Sequence, residues 1–576
     1  MIINNEYVRK WVEELARLCR PDAIYWCNGS DEEYERLAET ALAEGKMKGL
    51  DETLWPSCYA YSNTPDDCET QHEHSYVCTE DPADGADTSQ WMAPAEMREI
   101  LEPIMADSMQ GKIMYVIPYV LGPVGSPFSQ LAVEVTDSVY TVMNMAIITR
   151  MGDVAWRRIG DRDDFYRGIH VSGSLDKSAR YIAHFPEDRL VCTVNTEYGG
   201  YAFQGKSSQG MVLASASAAR EGWLAEHMMI LGIESPDGEL RYIAGAFPTS
   251  CGKTNLALLM PPEYAEGYKL YTVGDDIAWL HPGPDGRLWA INPESGFFSV
   301  LPGVNAKSNP RAMQMIRKNT IFTNIAVSSD GLPWWEGKGS RPPADLKNWQ
   351  GLPWDAQSDF KAAHPNARFT THAGQLPSMS ENWENISGVP ISAIIFGGKS
   401  RALDPLIREA FSWQHGVFLG ASLVAEREDH TERNPMGILP FLGCSMNSYL
   451  ENWLAMEERL DEAPKIFRVN WFRRDEEDHF IWPGYRENFR VLKWILDRCE
   501  GKAGASRTPI GLIPEAGAIS TKGIALNQAE LMEELLSIDK TLWQQESRKI
   551  GDYFKSFRAF PEALMQELEA QIERLE

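Results

Sequence analysis

A stretch near the middle of the chain constrains the fold more than any other feature. The apolar run Leu240–Phe247 predicts a buried strand, the turn PTSCG follows it, and KTNLALLM opens a helix. A second strand, KLYTVGDD, ends on the adjacent acids Asp275 and Asp276. Strand, phosphate-type loop, helix, strand and terminal acid is the layout of a nucleotide-binding core in an α/β protein.

The loop FPTSCGKTN has the chemistry of a phosphate site. The free N–H groups at the start of a helix face the preceding loop and favour an anion. Lys253 can neutralise the β- and γ-phosphates, and the Thr254 hydroxyl can ligate the accompanying Mg²⁺. The usual G-x-x-x-x-G-K-[ST] spacing fails because Phe247 stands at the first glycine position. The prediction of a phosphate-binding loop therefore rests on the flanking strand, the helix and the two acids after the next strand.

Asp275, Asp276 and His227 form a second candidate group. Two adjacent carboxylates repel each other unless cations share them, so they are either metal ligands or include the cap of a helix beginning at Ile277. His227 lies among apolar residues in GWLAEHMMILG, where a lone histidine is either a hydrogen-bonded core residue or a ligand. Its position shortly before the phosphate loop favours a ligand.

Two further segments are candidates for binding an anion. In YGGYAFQGKS the paired glycines let backbone amides approach an anion, and Lys206 supplies a cation, although a plain turn explains the glycines equally well. In HPNARF, Arg368 stands beside Asn366 and can clamp a carboxylate or phosphate.

Composition limits the partners. The chain has 82 acidic and 55 basic side chains, a formal net charge of −27, which argues against nucleic-acid or membrane-surface binding. The N-terminus meets charge before any signal-peptide core develops. Nine cysteines without a C-x-x-C pair suit a reducing compartment. We expect a cytoplasmic monomer with a small anionic substrate and no nucleic-acid or membrane partner.

Several long stretches, collinear from about Met114 to Gly511, resemble the GTP-dependent phosphoenolpyruvate carboxykinase family: FPTSCGKTN, VGDDIAW, EGWLAEHMMILG, INPESGFF, NTIFTNIA, HPNARF, SWQHGVF and VNWFRRD with IWPGYREN. The resemblance implies a bilobal α/β fold with a P-loop-type nucleotide-binding core and mixed β-sheets. We expect an N-terminal α/β domain over 1–222, a nucleotide-binding domain over 223–288 and 389–576, and an inserted substrate-side subdomain over 289–388.

That family converts oxaloacetate and GTP into phosphoenolpyruvate, CO₂ and GDP with two divalent cations, Mg²⁺ on the nucleotide and typically Mn²⁺ at the second site. The resemblance implies catalytic roles for Lys253, Lys206, Arg368 and the thiol of Cys251. It implies nucleotide binding by Thr249, Ser250, Cys251, Gly252, Lys253, Thr254, Asn255, Phe472, Phe480, Tyr485 and Asn488, with the aromatic side chains around guanine and Asn488 reading its edge. Metal binding falls to His227, Asp276, Thr254, Asp275 and Ser207, and substrate binding to Tyr198, Gly199, Gly200, Asn366, Arg368, Lys399 and Thr70.

Three positions and one connection depart from the family pattern. Thr70 stands where the family has an arginine that grips the substrate, Ser207 replaces a metal-ligating lysine, and Lys399 replaces an arginine near the transferred phosphoryl group. The connection between Gly420 and Pro440 is also shorter than the family's lid. A hydroxyl at Ser207 is a harder donor than an amine, so it lessens the preference for manganese.

Loss of an arginine from a partly desolvated anion site costs about 2–5 kcal/mol of binding. We therefore expect a GTP-dependent, metal-assisted phosphotransferase that phosphorylates an anionic small molecule other than oxaloacetate, with little formation of phosphoenolpyruvate. The alternatives are an ordinary GTP-dependent phosphoenolpyruvate carboxykinase and, from a different class, a nucleotide-binding pseudoenzyme.

Overall fold

The computed structural model describes residues 5–87, 89–248, 251–427, 430–524 and 528–576. The chain divides into two compact units, residues 1–214 with 293–379 as unit 1, and residues 215–292 with 380–576 as unit 2. Both contain mixed sheets with helices, which confirms the predicted α/β class. The three-domain boundaries expected from the sequence stay a prediction.

Unit 1 is built on a mixed sheet and two smaller sheets. The strands of the first run in the order Ala23–Trp26, Ile113–Leu121, Gln130–Thr136, Tyr166–Val171, Leu190–Val194, Tyr181–Phe185, Ser75–Val77 and Gln90–Trp91, with Arg150–Met151 beside Ile113–Leu121. The second contains Gly296–Val300, Arg368–His372, Thr320–Thr323, Tyr59–Tyr61 and Lys48–Gly49, and the third contains Pro333–Trp334, Ala326–Ser328 and Leu346–Lys347. The helices include Glu6–Cys19, Asp31–Ala43, Pro94–Met105, Val139–Ile148, Asp153–Ile159, Gly199–Ala202 and Pro310–Met315, and a π-helical turn covers Ser208–Leu213.

Unit 2 has a branched mixed sheet. One path runs Leu224–Glu226, Ala278–Pro282, Leu288–Ile291, Val389–Gly398, Lys465–Asn470, Ile407–Glu409, Gly511–Pro514 and Ala505–Thr508. Val389–Gly398 also pairs with Leu240–Ala246, which continues to Met228–Glu234 and Lys269–Gly274. The helices include Lys253–Ala257, Trp413–Ala421, Met446–Met456, Asn488–Cys499, Gln528–Leu536, Lys540–Phe554 and Glu562–Leu575.

The predicted strands around the phosphate loop are present, and the helix after it is shorter than expected. It covers only Lys253–Ala257 and begins after Gly252, whose φ of +99° suits glycine. The unusual Phe247 is fully buried, and a Cβ on Gly397 of the neighbouring strand would lie 1.9 Å from its ring. The large side chain is therefore tolerated because the adjacent strand carries glycine at the point of contact.

The short connection after helix Trp413–Ala421 forms a two-stranded hairpin, Val424–Glu426 with Thr431–Arg433. Arg433 reaches Glu546 of helix Lys540–Phe554 at 2.6 Å. This ion pair joins the hairpin to a helix near the C-terminus. No described helix is long and apolar enough to cross a membrane.

Asp404 joins two buried arginines in unit 2. Its carboxylate contacts Arg468 at 2.7 Å and Arg408 at 3.1 Å, with all three side chains at most 2% exposed. Breaking a buried pair leaves an uncompensated charge and typically costs about 3–5 kcal/mol. This network therefore holds Ile407–Glu409 against Lys465–Asn470.

We expect Asp404→Asn to lower the free energy of unfolding of unit 2 by about 3 kcal/mol, because it leaves the two guanidinium groups without a carboxylate. Chemical denaturation followed by tryptophan fluorescence measures the change. Asp478 is a matched control because it also bridges two arginines, Arg401 and Arg474, but is 56% exposed. Asp478→Asn should cost less than about 1 kcal/mol, and equal losses in the two variants would contradict the prediction.

Candidate active site

The directions of the strands in unit 2 place the predicted site residues of this unit at one edge of its sheet. Leu240–Ala246, Val389–Gly398 and Lys465–Asn470 are neighbouring parallel strands, so the phosphate loop, Lys399 and Phe472 all follow carboxyl ends of neighbouring strands. Met228–Glu234 is antiparallel to Leu240–Ala246, so His227 precedes its strand at the same edge. Ligands in open α/β sheets bind outside the carboxyl ends of strands.

Asp276 is the centre of this group. Its Oδ1 atom lies 3.0 Å from Nε2 of His227 and also accepts a hydrogen bond from Nζ of Lys253. Lys253 makes a second contact, 3.3 Å long, with the Asp276 carbonyl oxygen. The Asp276 carboxylate therefore contacts both His227 and Lys253, which the sequence predicted as separate candidates. The neighbouring Asp275 is buried.

His227 is prepared to act as a neutral ligand. Burial, and then the positive charge of Lys253, hold the pKa of His227 below its usual value, against the raising effect of Asp276. Its Nδ1 atom lies 3.1 Å from the carbonyl oxygen of Gly437, which fixes the ring if that nitrogen carries the proton. A neutral imidazole in this orientation presents Nε2 towards the Asp276 carboxylate.

The His227 and Asp276 pair fits a divalent cation in donor type. A neutral histidine nitrogen beside a carboxylate oxygen is a donor set that such ions accept. Within the described ranges no group of three or more His, Cys, Asp or Glu side chains is arranged to hold a metal. Water or bound ligand atoms would therefore have to complete the coordination in this unit. Ser207 belongs to unit 1, and its predicted role at the metal stays a prediction.

The phosphate loop is described in part. Thr249 and Ser250 lie outside the described residues. Cys251 is fully buried, and burial raises the pKa of its thiol to about 11 despite the nearby charges of Arg427 and Lys399. The expected reactive thiol is therefore protonated at neutral pH in this conformation. Thr254 is partly buried and Asn255 is exposed, and the five-residue helix gives them a weaker dipole than the sequence suggested.

Aromatic side chains surround the predicted base site. The rings of Phe472 and Phe480 have centroids 6.3 Å apart at an interplanar angle of 65°, and Phe480 is 53% exposed. Nζ of Lys399 lies 5.3 Å from the centroid of the Phe472 ring. Tyr485 is partly buried against the core that includes the helix Asn488–Cys499. The exposed ring face offers a stacking surface for a planar base.

Trp482, which the sequence reasoning missed, fixes the orientation of Asn488. Its Nε1–H group donates to Oδ1 of Asn488 over 2.8 Å, and both side chains are buried. Because the indole can only donate, the amide oxygen of Asn488 must face Trp482. The NH₂ group of Asn488 is then the part that remains to donate to another molecule.

In unit 1, Arg368 and Asn366 are in contact as the sequence suggested. Nε of Arg368 donates to Oδ1 of Asn366 over 3.2 Å, and its guanidinium lies 4.8 Å from the Phe298 ring centroid. Nδ2 of Asn366 lies 3.4 Å from the Tyr198 hydroxyl. The structure therefore places Tyr198, Asn366 and Arg368 in one cluster.

Asp67 holds the turn that carries Tyr198, and the sequence reasoning did not assign it. Its carboxylate accepts from the backbone N–H groups of Glu197 and Tyr198 and from the Thr196 hydroxyl. A Cβ on Gly199 would lie 2.6 Å from the Phe203 ring. The sequence signal that could have found Asp67 is its position three residues before Thr70, in the segment aligned with the family's arginine motif.

Gly200, like Gly199, has no room for a side chain, since a Cβ there would lie 2.5 Å from the Tyr198 ring.

Lys206 is not a free cation. Its Nζ atom lies 2.6 Å from Oε1 of Glu294, and both side chains are at most 5% exposed. An anion that binds Lys206 must therefore compete with a buried carboxylate 88 positions away in sequence. Thr70 is exposed, and its hydroxyl carries no charge that could replace an arginine.

Comparison with known proteins identifies the family. The family model for the phosphoenolpyruvate carboxykinase N-terminal domain matches residues 10–219, and the model for its C-terminal P-loop domain matches residues 223–574. The chain belongs to the GTP-dependent phosphoenolpyruvate carboxykinase family. It is 45% identical over 581 residues to the protein named phosphoenolpyruvate carboxykinase [GTP] from Anaeromyxobacter dehalogenans (strain 2CP-1 / ATCC BAA-258), covering 99% of this chain and 97% of that protein.

A second relative extends the similarity to another bacterial group. The phosphoenolpyruvate carboxykinase [GTP] of Chlamydia abortus is 40% identical over 588 residues, covering 98% of this chain and 97% of that protein. The predicted membership of the phosphoenolpyruvate carboxykinase family is therefore confirmed over nearly the whole chain. The roles of individual site residues stay predictions.

Binding of Mn²⁺ without nucleotide tests whether Lys253 and a metal ion compete for the Asp276 carboxylate. We expect Lys253→Met to bind Mn²⁺ at least as tightly as the parent, because the lysine no longer occupies Oδ1 of Asp276. Asp276→Asn should weaken binding by at least about tenfold, the lower bound seen when even an outer-shell partner is lost. Titration followed by electron paramagnetic resonance measures free Mn²⁺. Asp285→Asn serves as a control elsewhere in unit 2, and equal losses in the Lys253 and Asp276 variants would contradict the prediction.

Proposed function

We propose that the protein is a GTP-dependent phosphoenolpyruvate carboxykinase that converts oxaloacetate and GTP into phosphoenolpyruvate, CO₂ and GDP. The observation that carries the proposal is similarity over 99% of the chain to a protein named for that activity. The comparisons favour this alternative over the different acceptor that the substitutions suggested. The presence of Lys253, Thr254, His227 and Asp276 supports it over a pseudoenzyme, which has no chemical need for two metal sites.

The nucleotide half of the reaction is assigned to unit 2. Phe472 and Phe480 would stack on the base, and the NH₂ group of Asn488 would donate to O6 of guanine. Adenine carries an amino group at that position and offers no acceptor, so Asn488 disfavours it. Selection therefore depends on Trp482, because its indole keeps the amide oxygen turned away from the base.

Lys253 would move from Asp276 to the phosphates as GTP binds. A lysine 9% exposed and paired with one carboxylate is already desolvated, so exchanging that partner for a phosphate oxygen keeps its charge compensated. A divalent cation held by His227 and Asp276 would polarise phosphoryl or carbonyl oxygens. Thr254 would supply a hydroxyl ligand for a nucleotide-bound cation.

The oxaloacetate half is assigned to residues of unit 1. Arg368 presents a guanidinium whose Nε is fixed by Asn366 and whose plane is supported by Phe298, an arrangement that suits a carboxylate. The Tyr198 hydroxyl and the amides of Gly199 and Gly200 are further donors. Lys206 would contribute a further positive charge by exchanging Glu294 for the anion, because its Nζ atom is paired with that carboxylate at 2.6 Å.

The net charge of −27 argues against a nucleic-acid or membrane partner. Nine cysteines without a C-x-x-C pair suit a reducing compartment, so we propose a cytoplasmic enzyme that acts as a monomer. Size-exclusion chromatography with light scattering tests the oligomeric state.

Guanine selectivity tests the assignment of Asn488. Asn488→Asp keeps an oxygen for Trp482 but replaces the donor that faces O6. We expect the ratio of GDP to ADP affinity to fall by at least about tenfold, equivalent to roughly 1.4 kcal/mol or one lost hydrogen bond. Calorimetric titration with both nucleotides measures it. Asn385→Asp is the matched control, because Asn385 is an exposed side chain whose oxygen accepts from the Ser387 amide. A parent protein that binds GDP and ADP equally would contradict the assignment.

Turnover of oxaloacetate tests the function directly. Purified protein with oxaloacetate, GTP and Mn²⁺ should form phosphoenolpyruvate with a kcat in the ordinary enzyme range, about 1–10³ s⁻¹. Lys253→Ala should lower kcat at least about hundredfold, because that amine stabilises developing phosphoryl charge. A coupled assay for phosphoenolpyruvate, repeated with ATP as donor, provides the measurement. Absence of product together with tight GDP binding would refute the carboxykinase proposal and leave the nucleotide assignment intact.

A second candidate function is favoured by one observation. Thr70 is exposed and uncharged at the position of the family's substrate-gripping arginine, so a different anionic acceptor is compatible with retained nucleotide chemistry. The same assay, run with a panel of carboxylic acids and alcohols and a readout of GDP, distinguishes the two candidates. GDP formation that exceeds the oxaloacetate rate with another acceptor would favour the second.

A further inference from the structure

Unit 1 contains a cavity of about 650 Å³ that none of the roles above uses. Its walls come from segments 60–65, 137–140 and 347–351, together with Glu197 and Lys48. This volume falls in the range of sites that take a small organic molecule. The cavity lies entirely within unit 1, so every residue that lines it belongs to the same compact body.

Glu197 gives the cavity a negative wall. Burial raises the pKa of the Glu197 carboxyl to about 6, against the lowering effect of the nearby Tyr61 hydroxyl and Thr64 amide. The two neighbouring acids each have a cation, Arg180 at 3.4 Å from Asp67 and Lys112 at 2.6 Å from Asp137. Among the described ion pairs none involves Glu197, so a cationic group entering the cavity would find this carboxylate available.

The character of the walls favours an organic ammonium group over a metal ion. Tyr61 and Tyr140 stack with centroids 3.7 Å apart, and Trp349 lines the same cavity. Aromatic rings attract ammonium groups, whereas hard divalent ions need several oxygen ligands. In the part of the chain that the structure describes, no cluster of three or more His, Cys, Asp or Glu could supply them.

The lysines of the cavity indicate a second charged group on the ligand. Lys46, Lys48 and Lys347 line the cavity with exposed side chains. Lys46 is paired with Glu44 at 2.7 Å, so the argument rests on Lys48 and Lys347. Their charges would repel a simple cation but would attract a carboxylate on the same molecule. A ligand with an ammonium group and a carboxylate matches both signs of charge.

We propose that this cavity binds a small zwitterion of the amino-acid class, with its ammonium group on Glu197 and its carboxylate towards Lys48 and Lys347. The inference goes beyond the carboxykinase activity and concerns binding alone, so it stands or falls separately from the proposed function.

Isothermal titration of the full-length protein with each of the twenty proteinogenic amino acids tests the proposal. At least one should bind with a Kd of about 1 mM or tighter. Its N-acetyl derivative, which lacks the ammonium charge, and its amide, which lacks the carboxylate, should each bind at least about tenfold more weakly, as expected for a lost charged contact. No binding by any amino acid, or equal binding by the N-acetyl derivative, would overturn the proposal.

Variants place the binding in this cavity. Glu197→Gln should weaken binding at least about tenfold, because it removes a buried charge. Lys347→Met should weaken binding about three- to tenfold, because an exposed charge contributes less. Glu187→Gln is the matched control, because Glu187 is an exposed acid of unit 1 away from the cavity, and it should bind as the parent does. Circular dichroism shows whether Glu197→Gln is folded. If Glu197→Gln is unfolded, binding by Lys347→Met tests the assignment instead, because an exposed lysine can be replaced without disturbing the fold. If Glu197→Gln is folded and binds as the parent does, the assignment is overturned. If it is unfolded, parent-like binding by Lys347→Met overturns the assignment.

Discussion

Parallel pairing of Leu240–Ala246, Val389–Gly398 and Lys465–Asn470 decides where chemistry can occur in unit 2. Because the three strands end at one edge, the residues that follow them are neighbours although they are far apart in sequence. The antiparallel strand Met228–Glu234 then places His227 at that edge from the opposite direction. The donor loop, the metal candidates and the stacking surface all depend on this arrangement.

Two of the predicted site cations are paired with carboxylates. Lys253 is held by Asp276 in unit 2, and Lys206 is held by Glu294 in unit 1. An unpaired charge in a poorly hydrated environment raises the free energy of the folded state, so each carboxylate compensates and positions its lysine before any ligand is present. Binding of an anion is then an exchange of partners, and affinity depends on the difference between two ion pairs.

Family membership and local substitutions favour different conclusions about the acceptor. Identity of 40–45% over nearly the whole chain shows the family, whereas the differences predicted at Thr70 and Lys399 concern only a few contacts. The arginine-to-threonine difference predicted at Thr70 would alter one anion contact by a few kcal/mol, which is enough to change a substrate without changing a family. The specificity of this protein is therefore a question about a small number of side chains.

The sequence by itself determined the α/β class, the family, the phosphate loop with Lys253, and the candidates His227 and Asp276. These follow from local signals, namely the apolar strands, the glycine before the helix and the acids at a strand end. Only the tertiary structure decided that Lys206 is neutralised by Glu294, that Cys251 is buried as a protonated thiol, and that Trp482 sets the orientation of Asn488. The charge and hydrogen-bonding state of a side chain depend on partners that folding brings from distant positions, and no local pattern in the sequence specifies those partners.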